Sequence, residues 1–104
     1  MDDSYASGLV AFPGGGQTGG TKLGATTNRF TTVATTADSC QVPQASGGLR
    51  YYVTNAGANS MNVFPFLGDA INALSANTAF AVASGKSAIF MCAVTGVWNT
   101  VLSA

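Results

Sequence analysis

The residues after position 29 alternate between apolar and polar side chains in short stretches with a period of two. The clearest stretch is LRYYVTN at residues 49–55, in which Leu49, Tyr51 and Val53 share one face and the residues between them share the other. Alternate residues of an extended chain point to opposite sides, so this pattern predicts a strand with one face in the core. The stretch SAIFMCAV at residues 87–94 is the most apolar of these stretches and predicts a central strand.

Seven stretches of this kind follow one another between turn residues. They are residues 30–36, 40–42, 49–55, 61–66, a stretch that starts at Phe80, residues 87–94 and residues 97–102. Turn signals at intervals of about 8–12 residues are typical of small all-β domains. The pattern therefore predicts an all-β fold, a small antiparallel β-sandwich or barrel of about seven short strands. Residues 56–60 are predicted to be a hairpin loop, and the segment from Asp69 to the strand at Phe80 to be a loop with at most one helical turn.

The stretch MNVFPFL, which starts at Met61, is apolar on both faces. Met61 and Val63 are predicted to lie on one face of a strand, with Phe64 and Phe66 on the other. Pro65 has no backbone N–H to give to a ladder, which predicts either an edge strand or a strand that ends in a bulge there. One face can pack in the core, so Phe64 and Phe66 are predicted to form an interface between subunits.

Residues 1–28 differ from the rest of the chain because they are rich in glycine. The stretch PGGGQTGG is unsuited to regular structure, since glycine loses much backbone entropy on ordering. Just before it, Leu9, Val10 and Phe12 would be exposed on a free arm. The sequence therefore predicts an extended Gly-rich N-terminal arm over residues 1–28, disordered or docked on a partner through these three side chains, and a single β-domain over residues 29–104.

The composition adds to this picture because the chain of 104 residues is poor in charge. Charged residues make up 8% of it, and it has neither histidine nor glutamate, whereas about 25% is typical of a soluble domain. So few cations argue against nucleic-acid binding and a polybasic membrane anchor, and no apolar stretch reaches the ~20 residues that span a bilayer. A near-neutral surface predicts a subunit covered by its neighbours, with an uncharged monomer as the alternative.

The residues that carry acid–base or nucleophilic chemistry are few, and each has a structural interpretation. Asp38 and Asp69 stand next to turns, where they are predicted to cap N–H groups. Cys40 and Cys92 fit no metal-ligand spacing and are predicted to be buried free thiols, with a mutual disulfide as the alternative. Without histidine the usual general base is missing, so no enzyme activity, catalytic residue, metal or cofactor is expected.

The aromatic residues Tyr51, Tyr52 and Trp98 are the candidates for a sugar-stacking platform. Adjacent residues of a strand point to opposite faces, so at most one of the two tyrosines can join Trp98. Packing in the core or in a subunit interface is the favoured interpretation, and a glycan site is the alternative.

Residues 30–102 resemble a module that recurs in virion proteins of tailed bacteriophages. The stretches that carry the resemblance are LRYYVTNAGAN, NVFP, GDAINAL, NTAF, ASGKSA and GVW, together with Phe90. In such families the module is a small β-domain that often forms trimers, in capsid decoration (cement) proteins, head fibres and tail fibres. Unlike long fibre proteins, this chain has no shaft repeats and no coiled-coil pattern.

The resemblance implies a virion structural protein, in the first place a decoration protein that binds the outer capsid surface as a homotrimer and stabilises capsomer junctions. Its expected partners are further copies of itself and the major capsid protein, with no nucleic acid and no membrane. Its expected location is the outer capsid surface of the virion, after assembly in the bacterial host cytoplasm. The alternative is a tail-fibre or spike knob that binds a host receptor or glycan.

Overall fold

The computed structural model describes residues 5–13, 20–23, 26–36, 38–45, 47–72 and 74–102. Within these ranges the chain is all-β and forms ten strands and no helix. The strands are β1 (Tyr5–Val10), β2 (Thr21–Lys22), β3 (Thr27–Thr32), β4 (Asp38–Gln41), β5 (Arg50–Asn55), β6 (Met61–Phe64), β7 (Ala70–Ile71), β8 (Phe80–Val82), β9 (Ser87–Val94) and β10 (Val97–Leu102). The predicted all-β class is therefore confirmed.

The ten strands form two sheets. The six-stranded sheet has the order β1-β3-β5-β9-β10-β7, and the four-stranded sheet has the order β2-β4-β6-β8. The pairs β1–β3, β3–β5, β2–β4, β4–β6 and β10–β7 are parallel. The pairs β5–β9, β9–β10 and β6–β8 are antiparallel. Strand β9 lies between β5 and β10, which confirms the prediction that residues 87–94 form a central strand.

The first six strands wind back and forth between the two sheets. Strands β1, β3 and β5 stack in parallel in the first sheet, while β2, β4 and β6 stack in parallel in the second. Parallel neighbours need a crossover connection, and here each crossover is the strand that the chain lays down in the other sheet. The result is a β-solenoid-like stacking of three coils, to which the hairpin of β9 and β10 adds the last two long strands.

The predicted antiparallel arrangement is wrong for most of the pairings, and the sheets do not close into a barrel. The predicted hairpin at residues 56–60 is also wrong, because this segment carries the chain from β5 in one sheet to β6 in the other. The backbone N–H of Ala56 donates to the carbonyl of Phe30, at 2.8 Å. This hydrogen bond fixes residues 56–60 onto the preceding coil. Strand β6 therefore does not turn back to pair with β5, as it would in a hairpin.

Strand β6 ends at Phe64, directly before Pro65. It lies between β4 and β8, so the predicted edge position is wrong. The predicted bulge is not seen either, because the pairing of β6 with β4 and β8 has no register shift and the strand simply ends before the proline. The segment after Asp69 contributes the short strand β7 and a turn before β8, and its described part, which excludes residue 73, contains no helical turn.

The core lies between the two sheets and contains side chains from both. Its largest fully buried members are Trp98, Phe30, Phe90, Met61 and Ile71. Phe80 and Phe90 meet edge to face, with ring centroids 6.0 Å apart. Burial of apolar side chains at about 25 cal/mol per Å² is the main stabilising term for such a core. Cys40 and Cys92 are buried in it as free thiols, as predicted.

Candidate functional site

The predicted docking residues Leu9, Val10 and Phe12 lie in and just after β1, which is paired with β3. The described part of residues 1–28 therefore contributes β1 and β2, one to each sheet, and the first two residues of β3. Leu9 packs against the core, whereas Val10 and Phe12 are exposed. Their role in docking and the predicted division at residue 28 stay predictions.

The backbone of Phe12 is held in place by β4. Its N–H donates to the carbonyl of Ser39 at 2.8 Å, and the N–H of Ser39 donates to the carbonyl of Phe12 at 3.1 Å. The hydroxyl of Thr21 donates to the carbonyl of Val10 at 2.7 Å, which ties β2 to the end of β1. Val10 and Phe12 are thus apolar side chains presented on a fixed backbone, while residues 14–19 lie outside the described part.

The predicted interface residues Phe64 and Phe66 point away from the core. Met61 and Val63 are fully buried, whereas Phe64 is half-buried and Phe66 is 40% exposed. Phe66 lines a shallow cavity of about 210 Å³ together with Lys22, Leu23, Gln41, Pro43 and Gln44. The predicted division of this stretch into an inner and an outer side is confirmed, and its role between subunits stays a prediction.

Another apolar surface lies on the outward side of the six-stranded sheet. On β5, Arg50 and Tyr52 are exposed, and Val53 between Tyr52 and Thr54 is fully buried, so the even-numbered residues face outward. The register places Tyr52 directly opposite Ile89 on β9, and Ile89 opposite Val101 on β10. These three side chains form a continuous row across the strands.

A second row runs beside the first. Arg50 is opposite Met91, and Met91 is opposite Asn99. Met91 is 37% exposed, Tyr52 is 36% exposed and Val101 is 54% exposed. We call the surface made by these two rows, together with Arg29 of the neighbouring β3, the outer face: Arg29, Arg50, Tyr52, Ile89, Met91, Asn99 and Val101. Exposed apolar side chains that are contiguous, rather than scattered, are typical of interaction sites.

The charges on the outer face have one sign. Arg50 and Arg29 are both exposed, and Arg29 is opposite Thr54, at the other end of β5. The guanidinium of Arg29 donates to the hydroxyl of Ser7 on β1, at 3.4 Å. No carboxylate is among the outward residues of this face that the structure describes.

The two described carboxylates are buried and hold backbone N–H groups. Asp38 Oδ2 accepts from the N–H of Thr35 at 3.2 Å, which confirms the predicted turn cap. Asp69 Oδ2 accepts from the N–H of Ala45 at 2.8 Å. Asp69 therefore caps an N–H group, as predicted, but that group is 24 residues away in sequence. The hydrogen bond joins the segment after β6 to the segment after β4. Both side chains therefore have structural partners.

The described residues contain no group of three or more histidine, cysteine, aspartate or glutamate side chains that could hold a metal ion. Burial raises the pKa of the Cys40 thiol, because desolvation disfavours the thiolate. Cys92 donates from Sγ to the carbonyl of Val94 at 3.1 Å. A protonated, buried thiol is a poor nucleophile and a poor metal ligand.

Trp98 is fully buried and meets Tyr51 edge to face, with ring centroids 5.7 Å apart. Tyr52 lies on the opposite side of the sheet, on the outer face. The prediction that no more than one tyrosine can join Trp98 is therefore confirmed. The interpretation of Trp98 as a core residue is also confirmed, so the predicted aromatic platform does not include its indole.

Sequence reasoning missed the outer face as a candidate site. Residues 87–94 are apolar almost throughout, so the sequence gives no alternation that would separate the outward Ile89 and Met91 from the inward Phe90 and Cys92. The only available signal was the alternation in residues 49–55, which correctly placed Arg50 and Tyr52 on the outward side.

Comparisons of the chain with models of protein families, with curated proteins and with solved structures find no match. Within the described ranges, no segment forms a helix long and apolar enough to cross a membrane.

Proposed function

We propose that the chain is a virion structural protein, a capsid decoration (cement) protein that binds the outer capsid surface as a trimer and stabilises capsomer junctions. The observation that carries the proposal is the contiguous, partly apolar outer face of a rigid sheet, with Tyr52, Ile89 and Val101 in one row. A cement protein acts by burying surface across a junction, and it needs no reactive group for this work.

The sequence supports the same function from another direction. The stretches LRYYVTNAGAN, NVFP and GDAINAL carry part of the resemblance to phage virion modules, which is specific only as a combination of all its stretches. Their described residues lie in β5, the corner after it, β6 and β7 with its flanking turns. They build the middle of the domain, from which the outer face receives Arg50 and Tyr52.

The physical basis of the proposed activity is desolvation. Apolar area removed from water contributes about 25 cal/mol per Å², and a stable interface buries roughly 800 Å² on each partner. Two subunits of the capsid shell that touch the same rigid domain are held together by the sum of their two contacts. Because the sheet is fixed by its neighbouring strands, little conformational entropy is lost when it docks.

The trimer in this proposal is supported by apolar side chains outside the outer face. Phe64 and Phe66 point away from the core on the side of the four-stranded sheet, and Val10 and Phe12 are exposed near its β2 edge. Contacts among three copies through these residues cover sheet edges, which otherwise expose unpaired backbone groups. Analytical ultracentrifugation of the chain is expected to give a trimer, and a monodisperse monomer at high concentration would contradict this part of the proposal.

The central experiment is a count of the chain in purified virus particles by quantitative mass spectrometry, with the major capsid protein as the internal reference. We expect a copy number of the same order as that of the major capsid protein. Particles assembled without the chain are expected to lose their contents at lower temperature, and addition of the purified chain is expected to restore their stability. A few copies per particle would overturn the proposal in favour of a tail position, and absence from particles would overturn it altogether.

The role of the N-terminal anchors has its own test. Phe12→Ser and Val10→Ser remove exposed apolar side chains from the predicted docking segment, and Val94→Ser removes one from the β9–β10 hairpin as a matched control. We expect weaker binding to capsids for the first two variants and unchanged binding for the control. Equal binding by all three variants would exclude Val10 and Phe12 as anchors.

A further inference from the structure

The geometry points to the chemistry of the surface that the outer face contacts. We propose that this face docks on a protein surface in which carboxylates border an apolar area. The inference rests on the proposed function only for the location of the partner, because the chemistry follows from the outer face itself. It deepens that function by assigning one face of the domain to one class of partner.

The two arginines lie beside the apolar rows, on the β3 and β5 side of the outer face. Arg29 is level with Thr54, four residues from Arg50 along β5 and one strand away. With a rise of ~3.3 Å per residue and ~4.8 Å between strands, the Cα atoms of the two arginines are roughly 14 Å apart. Tyr52 lies between them on the same side. The two guanidinium groups therefore lie on either side of Tyr52, along the part of the face formed by β3 and β5, while the other apolar side chains lie on β9 and β10.

Among the described residues, no carboxylate is exposed that could balance the two guanidinium groups. Of the charged side chains in the described ranges, Asp38 and Asp69 are buried, whereas Lys22, Arg29 and Arg50 are exposed. The exposed charged side chains in the described ranges are therefore all positive. A partner surface that carries carboxylates would complement the two guanidinium groups, which favours an acidic partner.

A second copy of the chain does not fit the outer face. Two copies packed face to face by a two-fold axis would bring the same cationic side chains into one interface, with no described carboxylate on either side. Like charges enclosed at an interface are unfavourable, and this works as a barrier to pairing. Contacts between copies are therefore left to other surfaces, such as that of Phe64 and Phe66.

A nucleic acid is also a poor fit. Nucleic-acid binding rests on several cations that follow the phosphate backbone, and only two lie on this face. Ile89, Met91 and Val101 would have to pack against charged phosphates, which prefer water. Against a protein, the same side chains can bury their apolar surface, while the two arginines bind carboxylates at the rim in bidentate fashion.

The experiment uses the full-length chain and three probes of defined chemistry. They are a short peptide in which glutamate alternates with leucine, the same peptide with lysine in place of glutamate, and a single-stranded oligonucleotide with the charge of the first peptide. Binding is measured by isothermal titration calorimetry, and the site is mapped by chemical shifts of the backbone amides. We expect the acidic peptide to bind, with shifts concentrated in β5, β9 and β10 and with affinity that falls as salt is added.

Variants identify the residues involved. Arg29→Gln and Arg50→Gln are each expected to weaken binding of the acidic peptide by at least about fivefold, since each removes one charge-assisted contact. Val101→Thr keeps the shape of the side chain and is expected to weaken binding through the apolar row. Lys22→Gln is the matched control, because it removes one cation from the four-stranded sheet, and its affinity is expected to stay within about twofold. The emission of the buried Trp98 verifies that each variant is folded.

Several results would overturn the inference. These are equal binding of the lysine peptide, tighter binding of the oligonucleotide, amide shifts confined to the four-stranded sheet, or an equal effect of Lys22→Gln. Failure of the inference is distinct from failure of the proposed function. A chain found at high copy number on capsids that ignores the acidic peptide loses only this inference, and a chain absent from particles that binds the peptide through β5, β9 and β10 loses only the proposed function.

Discussion

Gly57 lies so close to Val33 that a Cβ atom on Gly57 would be 2.6 Å from the Val33 backbone nitrogen. Gly57 follows β5, and Val33 follows β3, so the contact joins equivalent corners of two successive coils. Asn59 strengthens it, because its Nδ2 donates to the carbonyl of Val33 at 2.8 Å. This corner is where the chain leaves the six-stranded sheet for the four-stranded one, and its close packing on the coil before it sets the course of β6.

Gly57→Ala is expected to destabilise the domain strongly. The added methyl group would meet backbone and side-chain atoms of Val33 below 3.0 Å, so the coils have to separate. Overpacking of this kind costs about 3 kcal/mol when a backbone atom has to move. The measurement is urea unfolding followed by the emission of Trp98, the single tryptophan.

Gly47→Ala is the control for this substitution. A Cβ atom at Gly47 would have open space around it, and its backbone is outside the left-handed region. Its unfolding free energy is expected to stay the same or to rise by up to ~1 kcal/mol, because alanine lowers the conformational entropy of the unfolded chain. Equal losses for both variants would show that the contact with Val33 is not responsible.

Asn55→Ala is expected to cost about 3 kcal/mol of unfolding free energy, because it leaves three backbone groups without their partner. Asn55 is fully buried, and its Nδ2 donates to the carbonyls of Asn59 and Val82, both at 2.8 Å. Its Oδ1 accepts from the N–H of Gly57 at 3.0 Å. The exposed Asn99 provides the control, and Asn99→Ala is expected to change stability by less than ~0.5 kcal/mol in the same unfolding assay.

The alternation of side chains predicted which residues of β5 face the core, and the structure confirms it: Val53 is fully buried while Arg50 and Tyr52 are exposed. Alternation is a local property of one strand, so it says nothing about the strand that pairs next. The parallel stacking depends on contacts such as that between Gly57 and Val33, which are distant in sequence. The equivalent residues Tyr5, Thr27 and Tyr52 are unequally spaced along the chain, so no repeat period reveals the coils.

The candidate site was less predictable than the fold class for a related reason. Arg50 and Tyr52 were placed on the outward side by their own alternation, but Ile89 and Met91 stand in an apolar stretch in which both faces look alike. Only the register of β5, β9 and β10 brings these four residues together on one face. A strand that looks fully buried in the sequence can thus contribute half of an exposed surface.

Asp69→Ala is expected to lower the unfolding free energy by about 2 kcal/mol, since it removes a charge-assisted acceptor from the N–H of Ala45. Asp69→Asn keeps an acceptor oxygen at the same place, so about half of that loss is expected. The midpoint of thermal unfolding, read by circular dichroism, compares the two variants with the wild type. If asparagine were as damaging as alanine, the role of Asp69 as a hydrogen-bond acceptor would be contradicted.

The stability of the domain is expected to fall at alkaline pH through Cys40. Burial raises the pKa of this thiol in the folded state above its ordinary value of 9.0, so the thiol stays protonated while that of the unfolded chain ionises. A group of this kind contributes stability that is complete below the pKa of the unfolded state and is lost as the pH rises above it. Between pH 8 and pH 10, the wild type is therefore expected to lose about 1.5 kcal/mol more than Cys40→Ala, which has no thiol at this position. Guanidinium unfolding of both proteins at each pH measures the difference, and parallel pH profiles would mean that Cys40 ionises as readily in the folded state as in the unfolded one.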